Sequence, residues 1–330
     1  MKTMLDYINE IPQYIYSHLN DGSFNILKND YLNENKKDIV IIASGSSNNA
    51  SYCAYHYLKN QLKAKVNIYT PYSFYNYEDI DSNAFYIVIS QSGRSINTLK
   101  VIDKFKENNI VTHFITDNKE IQNDELLKVY LLDVGDEEVP FVTKGMSSTI
   151  YFLLKFANSN FMNYEKFASL FESYQKKAKE YFEKNKELLT NVKRVHILGS
   201  GPSMYVSREG SLKFCETLHV GATPYEIEEF LHGGNFELQK DHLVIMINSN
   251  DCEIERINKL KDNLSILCDN YYVLDNTNED ESLSTIIYLA FFQTLVYLIN
   301  KEKGNLIPMM EEKYLNFEEK LKAKTINYYK

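Results

Sequence analysis

Short apolar runs rich in β-branched residues alternate with longer amphipathic stretches along most of this chain. The runs predict strands at residues 39–43, 65–69, 85–90, 112–116 and 129–132, and again at 195–198, 243–247, 265–268 and 271–274, with helices between them. Such alternation builds an α/β fold around parallel sheets, because each parallel connection needs a crossover that a helix supplies. One element occurs twice: Asp38-Ile39-Val40-Ile41-Ile42-Ala43-Ser44-Gly45-Ser46-Ser47 is echoed by Arg194-Val195-His196-Ile197-Leu198-Gly199-Ser200-Gly201-Pro202-Ser203. In both, an apolar run stops at a Gly-Ser turn and leads into a helical pattern. The second copy begins a little past the middle of the 330 residues, so the chain reads as two related α/β domains. A further echo pairs Ser148-Thr149-Ile150-Tyr151-Phe152-Leu153 with Ser284-Thr285-Ile286-Ile287-Tyr288-Leu289.

The boundaries that follow are a helical arm at 1–30, a first domain at 31–160, a linker helix at 161–190, a second domain at 191–310 and a charged tail at 311–330. Composition narrows the function classes. With 44% hydrophobic and 25% charged residues the chain is an ordinary globular one, and its net charge of −9 without any Lys/Arg-rich block argues against a nucleic-acid partner. The N-terminal residues lack the apolar core and cleavage site of a signal peptide, which gives a cytoplasmic expectation. Cys53, Cys215, Cys252 and Cys268 form no CxxC pair and have no metal-ligand spacing, so reduced thiols and no metal are expected. The apolar stretch at 283–299 carries Ser284, Thr285, Gln293 and Thr294 and follows Glu279-Asp280-Glu281, which favours a buried core or interface helix over a membrane span.

The two copies diverge in their chemistry. In the first, Ser90-Gln91-Ser92-Gly93-Arg94-Ser95 follows an apolar strand, and a helix starts at about Ser95. Hydroxyls and the backbone N–H groups of a helix start converge there, so the ligand should be an anion, most simply a phosphate, lined by Ser46, Ser47, Ser90, Gln91, Ser92 and Ser95. A single Ser-rich loop is ordinarily turn chemistry, but two of them follow strands of the same domain. The matching stretch of the second copy, Asn248-Ser249-Asn250-Asp251-Cys252-Glu253, carries carboxylates that would repel a phosphate. That copy concentrates ionisable residues instead. Lys213 and Glu216, three apart on a predicted helix, share one face, and Glu226, Glu228, Glu229 and His232 follow. Taken alone, such a Lys/Glu pair is usually a solvated ion pair of small worth, and a lone histidine is usually structural.

Taken together, Ser44-Gly45-Ser46-Ser47-Asn48-Asn49-Ala50, Ser90-Gln91-Ser92-Gly93-Arg94-Ser95, Glu209-Gly210-Ser211-Leu212-Lys213-Phe214-Cys215-Glu216 and Glu229-Phe230-Leu231-His232-Gly233 resemble the tandem sugar isomerase (SIS) family. That family includes the isomerase half of glucosamine-6-phosphate synthase, fructosamine-phosphate deglycases and aminosugar-phosphate deaminases. The resemblance implies two tandem flavodoxin-like, three-layer αβα domains with mainly parallel sheets. It implies that Ser46, Ser47, Ser90, Gln91, Ser92 and Ser95 hold a sugar phosphate, and that Ser44, Gly45, Val142 and Thr143 line the sugar pocket. Glu216 then matches the glutamate that shuttles a proton between C1 and C2, Lys213 the lysine beside it, His232 the histidine that opens the sugar ring, and Lys324 the tail lysine that meets the open-chain carbonyl. The activity implied is that of an aldose–ketose isomerase, deaminase or deglycase on a 6-phosphorylated amino sugar or fructosamine, with no metal or redox cofactor. A homodimer with shared active sites is also implied, His232 coming from the neighbouring chain. A non-catalytic sugar-phosphate sensor is the competing class. The chain departs from the family pattern at three points: it supplies no N-terminal cysteine nucleophile for glutamine hydrolysis, Arg94 stands where an acidic or small residue is common, and Gly234 stands where a proline is common.

Overall fold

The computed structural model describes residues 2–135, 137–249 and 254–304. In chain order it comprises α1 (Met4–Ser17), α2 (Ser23–Glu34), β1 (Asp38–Ala43), α3 (Gly45–Leu62), β2 (Lys65–Tyr69), α4 (Pro71–Tyr77), β3 (Ala84–Ile89), α5 (Ile96–Glu107), β4 (Thr112–Thr116), β5 (Leu127–Leu131) and α6 (Lys144–Ala157). There follow α7 (Tyr164–Lys184), α8 (Lys186–Asn191), β6 (Arg194–Gly199), α9 (Pro202–Leu218), β7 (Gly221–Glu226), α10 (Ile227–Phe230), a 3₁₀ turn at Gly234–Glu237, β8 (Leu243–Ile247), α11 (Ile254–Leu267), β9 (Asn270–Leu274) and α12 (Glu281–Glu302). The described residues divide into two compact units, one of residues 13–135 and 144–161, the other of residues 2–12, 137–143, 162–249 and 254–304.

The first unit holds a five-stranded sheet in the order β2-β1-β3-β4-β5, parallel throughout. A sheet covered on both faces must be apolar on both, and β3 (Ala-Phe-Tyr-Ile-Val-Ile) is buried at every position. One face packs Val40, Ile42, Tyr86, Val88 and Phe114 against Phe105 and Leu99 of α5. The strand order reverses between β1 and β3, which pair with Ala43 opposite Ile89, so the loops that leave their carboxyl ends start side by side. In doubly wound sheets that is where ligands bind.

The second unit repeats the arrangement with four parallel strands in the order β7-β6-β8-β9. Its core includes α12, one helix long and apolar enough to cross a membrane; 94% of that span is buried inside the protein. Residues 283–299 thus form the core helix that their polar interruptions suggested. Tyr288 and Phe291 of α12 meet Tyr174 and Tyr181 of α7, so the apolar face of this helix is spent inside its own unit. The helix at 164–184 joins the second core rather than only bridging two domains, since Phe167, Phe171, Tyr174, Ala178 and Phe182 are all buried.

Two strand assignments needed correction. Residues 265–268 do not form a strand: 265–267 are the last turn of α11, where Leu264 and Cys268, four apart, are buried while Ile266 and Leu267 between them are exposed. That spacing is helical, and a four-residue apolar run does not by itself distinguish helix from strand. Conversely β7, with sequence Gly-Ala-Thr-Pro-Tyr-Glu, escaped notice because of its glycine and proline. It pairs only with β6, and an edge strand tolerates proline because one side of its ladder is unused.

Candidate functional site

Ser44 and Ser95 are the N-cap residues of α3 and α5, each in an extended backbone conformation, and neither hydroxyl makes a capping hydrogen bond. Elsewhere the chain uses its caps internally: Thr70, Asn163 and Asp280 each accept from a first-turn N–H. First-turn N–H groups have no partner within their own helix and carry partial positive charge. Two such helix starts, at the point where the strand order reverses, offer donors to an anion.

The loop between β3 and α5 is held in shape from β4. Ser90 N donates to Ile115 O (3.0 Å), Asp117 N (2.9 Å) and Thr116 Oγ1 (3.2 Å) donate to Gln91 O, and Asn118 Nδ2 donates to Ser92 O (3.2 Å). Gly93 turns with φ +61°, and a Cβ there would lie 2.7 Å from Ile121 Cδ1, so glycine is required. Ala43 and Ile89 are paired, so Ser44 and the first turn of α3 (Gly45, Ser46, Ser47) follow one strand end and Ser90, Gln91, Ser92 and Ser95 the neighbouring one; Ser90 is buried, Ser46, Ser47, Gln91 and Ser95 are half-buried and Ser44, Gly45 and Ser92 are exposed. Arg94 is exposed; its guanidinium stands 4.0 Å from Glu120, and its N–H donates to Ser92 Oγ (3.3 Å). Thr116 and Asn118 carried no recognisable signal in the sequence.

The second unit contributes a buried charge cluster. On α9, Lys213 Nζ lies 2.5 Å from Glu216 Oε1 and 3.1 Å from Glu209 Oε1. Lys213 and Glu209 have 0% side-chain exposure and Glu216 22%. The pair is therefore not a solvated surface pair, because this face of α9 packs against α12 and β6: a Cβ on Gly210 would meet Phe292 and Ile197. Burial by itself lowers an ammonium pKa, but the two carboxylates outweigh it and hold Lys213 above the ordinary lysine value. Lys213 is thus a fixed cation at neutral pH, suited to stabilising negative charge and unsuited to attack as a free amine. Glu209, four residues before Lys213, was within reach of the helical spacing rule and was missed.

His232 lies just beyond α10; its N–H donates to Glu229 O (3.0 Å), and its side chain is exposed. Phe236, four residues on, is 86% exposed. Glu226 is a cap: it accepts from Glu228 N (2.7 Å) and Glu229 N (3.1 Å), and from Ser200 Oγ (2.5 Å). Val142 is half-buried, and Thr143 is fully buried with its hydroxyl donating to Phe141 O (3.1 Å) and its carbonyl accepting from Gln293 Nε2 of α12 (3.0 Å). Lys324, Asp251 and Glu253 lie outside the described residues. Among the described residues no cluster of three His, Cys, Asp or Glu side chains could hold a metal.

Two tandem flavodoxin-like units, one with two serine-lined loops where its strand order reverses, make this an α/β protein of the doubly wound type. Residues 32–151 match the SIS domain. It is 28% identical over 244 residues to the isomerizing glutamine–fructose-6-phosphate aminotransferase of Legionella pneumophila (strain Lens), a stretch that is 69% of this chain and 39% of that protein. The match therefore spans well under half of the relative. The C-terminal domain of glucosamine-fructose-6-phosphate aminotransferase from Francisella tularensis has the same fold, with a TM-score of 0.78 at 19% identity over 93% of this chain and 98% of that one. So does a Clostridium difficile 630 protein whose assignment as a phosphosugar isomerase is itself provisional, with a TM-score of 0.83 at 23% identity over 99% of this chain and 100% of that one.

Proposed function

We propose that the protein is a phosphosugar isomerase-type enzyme that acts on a 6-phosphorylated amino sugar or fructosamine by proton transfer between C1 and C2. The observation that carries this reading is the Glu209–Lys213–Glu216 cluster, a buried cation between two carboxylates, one of which reaches solvent. Burying three charges is costly, and a protein that only binds sugar phosphate has no chemical use for them. In the proposed reaction the serine loops hold the phosphate and fix the sugar's position. Glu216 removes the proton α to the carbonyl, the electron pair moves onto the carbonyl oxygen, and the Lys213 ammonium stabilises the enediolate electrostatically. Return of the proton to the neighbouring carbon, with the hydroxyl proton passing from one oxygen to the other, completes the exchange of aldose and ketose. His232 serves ring opening, and Lys324 meets the open-chain carbonyl; no metal or redox cofactor is required.

A homodimer with shared sites belongs to the same proposal. It is supported by the exposed His232 side chain and by the exposed Phe236 four residues on. Mixing Glu216→Gln and His232→Ala proteins should partly restore activity after subunit exchange, because a mixed dimer would contain one intact site. No recovery despite demonstrated exchange would assign His232 to its own chain.

The activity itself is tested by incubating the protein in deuterated water with glucosamine 6-phosphate, fructose 6-phosphate with ammonia, and fructosamine 6-phosphates. The expected result is deuterium at C1 or C2 of one of them, slowed about 10²–10⁴-fold in Glu216→Gln while binding survives. Binding by the parent without any exchange would make the protein a sensor.

A further inference from the structure

Gly145 is the second residue of α6, and the side chain of Gln91 lies directly over it. A Cβ at position 145 would stand 2.1 Å from Gln91 Oε1, 2.5 Å from Cδ and 2.6 Å from Nε2, distances no packed side chain tolerates. The obstacle is the far end of one flexible side chain and not backbone. An alanine at 145 would therefore leave the helix intact and displace the Gln91 carboxamide. The backbone of Gln91 is separately fixed, since its carbonyl accepts from both Asp117 N and Thr116 Oγ1, so the loop cannot follow the displaced amide.

The second half of the chain supplies an independent comparison. The repeat that equates Ser148 with Ser284 equates Gly145 with Glu281, the first residue of α12. Glu281 is buried there and accepts a 2.5 Å hydrogen bond from Ser203 Oγ. Ser203 in turn corresponds to Ser47 of the first-half loop. The chain thus puts its own carboxylate against the serine loop in one half, and in the other leaves that position without a side chain.

We propose that Gly145 is a positioning residue for the anion site: its missing side chain makes the place in which the Gln91 carboxamide is held toward the ligand. This rests on the reading of the serine loops as a phosphate site. It adds a residue that touches no ligand and sets the affinity through Gln91.

The test is calorimetric titration of inorganic phosphate and of fructose 6-phosphate into the parent protein, Gln91→Ala, Gly145→Ala and the double variant, with thermal unfolding recorded for each. Loss of one hydrogen bond to a charged group weakens binding by about tenfold to a hundredfold. Gly145→Ala should show a loss of that size, comparable to Gln91→Ala, with no fall in Tm, because alanine is the better helix former. In the Gln91→Ala background, Gly145→Ala should have no further effect. Gly145→Ala binding as tightly as the parent, while Gln91→Ala binds weakly, would overturn the proposal and leave the phosphate site standing. Additive losses in the double variant would also overturn it. A parent that binds neither probe, or a Gln91→Ala protein that binds like the parent, would overturn the reading of the loop itself and this inference with it.

Discussion

The loops after β1 and β6 share an ancestral pattern and have opposite fates. Ser44 and Ser47 in the first correspond to Ser200 and Ser203 in the second. Ser200 Oγ donates a hydrogen bond to Glu226 and Ser203 Oγ to Glu281, both at 2.5 Å, so these two hydroxyls are satisfied by carboxylates of their own unit. In the first loop the Ser44 cap makes no such bond, and the helix start α5 beside it likewise has an N-cap serine, Ser95, whose hydroxyl makes no capping bond. The scaffold around each loop is the same: Ser90 N donates to Ile115 O at 3.0 Å, and Asn248 N to Leu274 O at 2.9 Å. What separates the two loops is therefore a few side chains on a shared frame. The buried Glu209–Lys213–Glu216 cluster of the second unit lies on α9, the helix that this loop leads into.

That contrast can be broken in graded steps. The largest effect is expected at the first loop: Ser90→Ala/Ser92→Ala should weaken phosphosugar binding about tenfold to a hundredfold, because hydrogen bonds to a charged group are lost, and calorimetry that finds parent-like affinity would misplace the site. In the second loop the corresponding experiment should read out in stability instead. Glu281→Ala leaves the buried Ser203 hydroxyl without its acceptor, so chemical denaturation should show a loss of about 1–3 kcal/mol, with phosphosugar affinity unchanged. A large loss of affinity would mean that the second loop binds ligand after all.

The smallest effect concerns acid. His196, in β6, is fully buried, and burial pushes its pKa down to about 4. The unfolded chain takes up that proton near pH 6.5 and the folded chain only near 4, so the stabilisation is complete above pH 6.5 and is lost as pH falls toward 4. His196→Gln should flatten the decline of Tm across that window by a few degrees, at roughly 2–4 °C per kcal/mol. His113 in the first unit is also lowered by burial, but Glu34, at 3.1 Å, pulls the other way, so His113→Gln should flatten the curve less. Equal slopes for the parent and His196→Gln would remove His196 from the account.

Much of this was written in local sequence. The strand–turn–helix repeat announces itself because β-branched runs, Gly-Ser turns and helical periodicity are all short-range signals, and the start of α5 followed from Ser95. Long-range packing supplied the rest. Proline hid β7 because an edge position cannot be recognised until its neighbours are known, and 265–268 passed for a strand because its burial period emerges only against the second core. At the site, Lys213 and Glu216 were visible as neighbours on a helix, but their burial depends on Phe292 of α12, far along the chain. Gly145 gave no signal at all, since its importance lies in the side chain it lacks.

The central claim is that grip and chemistry are separable, the first unit holding the phosphate and the second moving the proton. Calorimetric titration of Glu216→Gln with the phosphosugar on which the parent shows exchange tests it most directly. The account predicts one ligand per chain, bound with parent-like affinity by a protein that no longer exchanges solvent deuterium into it. Loss of binding along with loss of exchange, or exchange at the parent's rate, would contradict it.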